Sequence, residues 1–102
     1  MLQQFICEKK TDIERLCEMY DVKKMYFFGS VCSDRFHEKS DIDILITFKE
    51  LSVERYTDNF FALHGELVRL FQRKVDLVTE ASIVNPFLRE SIEENRELLY
   101  AA

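Results

Sequence analysis

The chain has 102 residues and a formal net charge of −5, and it is 47 % hydrophobic, with nine Phe and four Tyr against two Gly and one Pro. That much aromatic surface offsets chain entropy, which argues against disorder, and a chain of this length supports one core, so a single domain over residues 1–102 is expected. Sequence-independent nucleic-acid binding is disfavoured, because the acidic balance comes without a run of Lys or Arg. The basic pairs Lys9-Lys10, Lys23-Lys24 and Arg73-Lys74 read as solvated helix ends and strand starts. No apolar stretch approaches the roughly 20 residues of a membrane span, and Met1-Leu2-Gln3-Gln4 lacks the charged and apolar regions of a signal peptide. Cys7, Cys17 and Cys32 form an odd set without C-x-x-C spacing, which fits reduced thiols in a cytoplasmic protein.

In chain order, Phe5, Ile6, Ile13, Leu16, Cys17 and Tyr20 recur at helical spacing, so the first twenty residues are predicted to form an amphipathic helix. Thr11-x-x-Glu14 matches a capping box that could start or restart it. Met25–Phe28 is a short aromatic run stopped by Gly29 and reads as a buried strand. Residues 30–40 are polar and mixed, and a short helix followed by a loop is expected there. Asp41–Phe48 is apolar and β-branched beyond its opening acids, giving a second strand. Ser52 precedes a helical pattern at Tyr56, Phe60, Leu63, Leu67 and Leu70, and Val75–Val78 makes a third strand. Asn85-Pro86 is a helix start, Asn capping and Pro fitting the first turn. The last helix is expected to turn Leu88, Ile92 and Leu99 inward, to wet Glu90, Glu93, Glu94 and Glu97, and to fray where those acids oppose its dipole. The alternation predicts an α/β fold with a small mixed three-stranded sheet flanked by helices.

The chemistry concentrates between Gly29 and Asp43. Residues two apart in a strand share a face, so Asp41 and Asp43 project together while Ile42 and Ile44 face the other way. Paired like charges repel, and the arrangement becomes favourable when a divalent cation sits between them; Mg²⁺ takes one or two carboxylates and completes its shell with water and phosphates. A solvated turn at the strand start accounts equally for the pair alone. Asp76 interrupts an apolar strand, either as an edge acid reaching water or as a third carboxylate, if its strand neighbours that of Asp43. Three acids on one surface suit two-metal phosphoryl transfer. Gly29-Ser30, ending a strand before a predicted helix, is an ordinary turn with a Ser cap or a phosphate cradle. His37 and His64 read as surface and structural residues. Nothing marks Cys32 as a nucleophile, and Phe60-Phe61 is expected to split between core and a partner-facing surface.

Gly29-Ser30, ten residues and then Asp41-x-Asp43, set in strand, Gly-Ser, helix, loop, strand, resembles the minimal nucleotidyltransferases of the DNA polymerase beta-like superfamily, found as antitoxins beside HEPN-domain toxins. The resemblance runs from Met25 through the C-terminal stretch. It implies that Gly29 and Ser30 hold the triphosphate, that Asp41, Asp43 and Asp76 bind Mg²⁺ (two ions) and carry catalysis, and that Ser40 belongs to the family's S-D-x-D. One departure is plain: where members commonly carry Ala-Arg-Gly, this chain has Cys32-Ser33-Asp34, with Arg35 as the nearest replacement cation. The implied activity is AMP transfer from ATP to a hydroxyl, a tyrosine's, on a HEPN-type toxin in a hetero-oligomer. The alternative is a binding module that neutralises the toxin by occlusion.

Overall fold

The computed structural model describes the backbone of residues 2–28 and 41–102, with side chains across that range except at 2–7 and 95. The elements are α1 (Leu2–Met19), β1 (Val22–Phe28), β2 (Ile42–Phe48), α2 (Val53–Phe71), β3 (Val75–Thr79), a 3₁₀ turn (Glu80–Ser82), α3 (Pro86–Asn95) and β4 (Glu97–Ala101). The expected short helix after Gly29 lies outside the described residues, as do Gly29, Ser30, Cys32–Arg35, His37 and Ser40. The strands form one mixed sheet in the order β3-β2-β1-β4. β1 runs antiparallel to both β2 and β4, and β2 runs parallel to β3 through the α2 crossover.

Alternation along the strands assigns the two faces. Val22, Met25, Phe27, Ile42, Ile44, Ile46 and Val75 point to one side and build the main core with Ile13, Leu16 and Cys17 of α1 and Leu63, Leu67 and Phe71 of α2. Leu45 points to the other, joining Ile83 and Ile92 in a smaller cluster against which Tyr26, Phe28 and Val78 pack. β2 is thus apolar throughout on the main-core face, while its other face carries Leu45 between Asp43 and Thr47. Arg89 ties α3 down by donating from Nη2 to the Ile83 carbonyl at 2.8 Å, and Thr47 Oγ1 donates to Glu80 at 2.8 Å.

The helix starts follow the expected chemistry. Ser52 Oγ accepts from the Arg55 amide at 3.3 Å, and Asn85 Oδ1 accepts from the Phe87 and Leu88 amides at 2.9 and 3.4 Å. Three expectations are corrected. Thr11 and Glu14 lie inside an unbroken α1, so no capping box operates there. β1 begins at Val22, whose buried side chain precedes two exposed lysines at an irregularity in the ladder. Among the described residues the sheet has four strands, because the last helix ends at Asn95 and the chain continues as β4. That strand gives the edge of β1 a hydrogen-bonding partner and buries Leu99, whereas Leu88 remains 49 % exposed.

Candidate functional site

The parallel pairing of β2 with β3 places Asp43 directly opposite Asp76. The same ladders put Phe28 of β1 opposite Asp43, so Phe28, Asp43 and Asp76 form one row on the α3 side of the sheet. The neighbouring row, Tyr26, Leu45 and Val78, is apolar and packs into the small cluster. Val75 is buried in the main core and Leu77 packs against it, so Asp76 alternates with residues committed to the opposite face. Its strand does neighbour that of Asp43, the condition under which the acids meet.

Asp76 faces Asp43 closely enough to hydrogen-bond its protonated carboxyl, and the Asp43 pKa is pushed up to about 6. Burial is the largest cause; the bond to Asp76 and the charges of Asp76 and Asp41 add to it, and Lys74 opposes them. Asp41 immediately precedes β2, and its carboxylate is 48 % exposed, as is that of Asp76. Lys74 Nζ lies 3.8 Å from Asp41 Oδ2 and 3.9 Å from Asp76 Oδ1. Its backbone is fixed: α2 ends on Gln72 at φ 54, the left-handed turn redirects the chain, and the Lys74 carbonyl accepts the Ile42 amide at 3.1 Å. Arg73-Lys74, expected as a solvated pair, therefore contributes a cation to the acid cluster. The signal was available, because Lys74 and Asp76 are two apart at the start of a strand.

Carboxylate oxygens are the donors Mg²⁺ selects, and acids whose mutual repulsion raises the Asp43 pKa concentrate negative charge that a cation relieves. No group of three or more His, Cys, Asp or Glu converges closely enough to hold a metal among the described residues. The pair Asp43–Asp76, with Asp41 at its flank, nevertheless fits an ion that needs only one or two carboxylates beside water and phosphate. A cleft of about 440 Å³ opens beside Asp76, lined by Phe60, Phe61, His64, Lys74 and Leu77. His64 is structural, its Nε2 lying 2.7 Å from the Val75 carbonyl. The aromatic pair divides between core and surface: Phe60 packs on the core and Phe61 is 67 % exposed.

The nucleotidyltransferase domain family matches residues 10–99. A relative from Methanocaldococcus jannaschii, named "Putative protein adenylyltransferase MJ0128", is 45 % identical over 85 residues, covering 83 % of this chain and 82 % of the relative. A solved structure described as a "putative minimal nucleotidyltransferase" superposes with a TM-score of 0.65 at 27 % identity, covering 94 % of this chain and 93 % of that one. The fold is also shared, with a TM-score of 0.65 at 21 % identity, by a chain from the complex of the tri-AMPylated Shewanella oneidensis HEPN toxin with its MNT antitoxin; the match covers 100 % of this chain and 74 % of that one. No described helix is long and apolar enough to cross a membrane. A parallel strand pair bearing facing aspartates, on the sheet of a minimal nucleotidyltransferase, thus belongs to a chain of the nucleotidyltransferase domain family.

Proposed function

We propose that this protein transfers the AMP moiety of ATP to a hydroxyl group, a tyrosine's, on a HEPN-type toxin and so acts as its antitoxin. The observation that carries the reading is the registered pair Asp43–Asp76 with Asp41 beside it, the carboxylate set that phosphoryl transfer at a metal requires. The adenylyltransferase naming of the relative supports the reaction class, and the tri-AMPylated toxin in the Shewanella assembly supports the acceptor class. Asp41, Asp43 and Asp76 would hold Mg²⁺, which supplies charge neutralisation on the triphosphate when bound. Gly29, Ser30 and Ser40 are assigned to the triphosphate by the family pattern alone.

In the reaction the acceptor oxygen forms a bond to the α-phosphorus, the bond from that phosphorus to the bridging oxygen breaks, and pyrophosphate leaves. The hydroxyl proton passes to a carboxylate, for which Asp76, about half exposed on the edge strand β3, is accessible to an acceptor side chain.

The test is incubation with α-labelled ATP, Mg²⁺ and the HEPN-type partner. The wild-type chain is expected to label the partner, and an Asp41→Asn/Asp43→Asn double variant to lose about 100-fold or more of that rate. Equal labelling by the double variant, or none by the wild type, removes the catalytic reading. Protection of cells by the double variant would point instead to neutralisation by occlusion.

A further inference from the structure

Lys74 is the feature of this site that the nucleotidyl-transfer reading leaves without a role. Its ammonium lies almost equidistant from Asp41 Oδ2 and Asp76 Oδ1, at 3.8 and 3.9 Å. Those separations exceed a charge-assisted hydrogen bond of about 2.8 Å, so the contact is a Coulombic pairing shared between two acids. The main chain of Lys74 is anchored to β2 through the Ile42 amide, and the next residue, Val75, is buried. The side chain is nevertheless 70 % exposed, an arm in solvent on a fixed shoulder.

Mg²⁺ approaches carboxylate oxygens to about 2.0–2.1 Å and would compete for the place beside the same carboxylates. An ammonium and a divalent ion a few ångströms apart repel, so both cannot hold that place. Lysine suits an exchange better than arginine, being a compact point charge on a flexible stem, whereas a guanidinium fork locks onto carboxylates. Once displaced, the ammonium needs an anion, and a polyphosphate delivered with the metal supplies one.

Building on the nucleotidyltransferase reading, we propose that Lys74 is a tethered counter-cation that occupies the unloaded carboxylate site and yields it to a divalent metal when a polyphosphate arrives to receive the ammonium. Lys74 is thus a positioning residue that makes metal binding conditional on nucleotide. Coupling between two ligands is reciprocal, so the same device raises nucleotide affinity when metal is present.

The experiment titrates Mn²⁺ into the wild type, Lys74→Met and Lys74→Arg, by calorimetry or electron paramagnetic resonance, with and without a non-hydrolysable ATP analogue. Without nucleotide, Lys74→Met is expected to bind Mn²⁺ roughly 3- to 10-fold more tightly, the gain from removing one screened charge at this distance, and Lys74→Arg to show no such gain. The analogue should raise Mn²⁺ affinity more in the wild type than in Lys74→Met. Equal or weaker Mn²⁺ binding by Lys74→Met without nucleotide overturns the proposal. So does loss of analogue affinity with Mn²⁺ affinity unchanged, which would make Lys74 a phosphate ligand only. Failure of every form to bind Mn²⁺, with or without the analogue, would remove the metal-dependent reading itself. Melting curves establish that each variant is folded, as expected for an exposed side chain.

Discussion

At the scale of single residues, Asp43 carries a conflict built into the fold. It is half-buried, faces Asp76 across the ladder, and its pKa is pushed up to about 6 chiefly by burial, then by Asp76 and Asp41. The folded metal-free protein therefore holds this proton more tightly than the unfolded chain. The stability from that preference is complete below the unfolded carboxylate range, near pH 4, and is lost as pH rises through about 6. Asp43→Asn removes the charge while keeping a donor for Asp76. It should raise the Tm of the metal-free protein at pH 7–8 by about 4 °C, from a gain screened to about 1 kcal/mol, and leave it nearly unchanged at pH 4. Scans across this pH range check it, and a variant that melts lower at pH 8 would contradict the assignment. The aspartates were legible in the sequence because period-two spacing and an acid inside an apolar strand are local signals. Lys74 was harder to see, since its role depends on which strand lies beside β3.

At the scale of elements, the helix caps, β2 and β3 follow from short-range chemistry, and β4 does not. Leu88, Ile92 and Leu99 fit helical spacing as well as anything else, and Glu97–Ala101 has no β-branched residue to mark a strand, whereas Val75–Thr79 has three. What decides the matter is non-local: β1 would have an unpaired edge, and pairing it with Glu97–Ala101 satisfies those groups and buries Leu99 in the main core. The acids that disfavour a longer α3 act in the same direction. Leu99→Ala is accordingly expected to destabilise the protein by roughly 2 kcal/mol, about 10 °C in Tm, where a side chain on a fraying helix end would cost under about 0.5 kcal/mol. Denaturant unfolding of this variant measures which applies.

At the scale of the whole molecule, the two clusters are unequal. α2 contributes three buried residues to the large core, whereas α3 is held by Ile92 and by Arg89 against a cluster of three. Hydrogen exchange should show α3 amides opening at lower free energy than those of α2, and equal protection in the two helices would contradict this ranking. The parallel pairing of β2 and β3 has a consequence for biosynthesis. Antiparallel neighbours can meet through a tight turn, but these two parallel strands are joined by the α2 crossover and can pair only after it has been synthesised. A nascent chain that has emerged as far as Phe48 therefore carries two of the acids and no facing third. The carboxylates can converge only once the crossover is complete, so the chemistry proposed for them is withheld from truncated and half-folded chains.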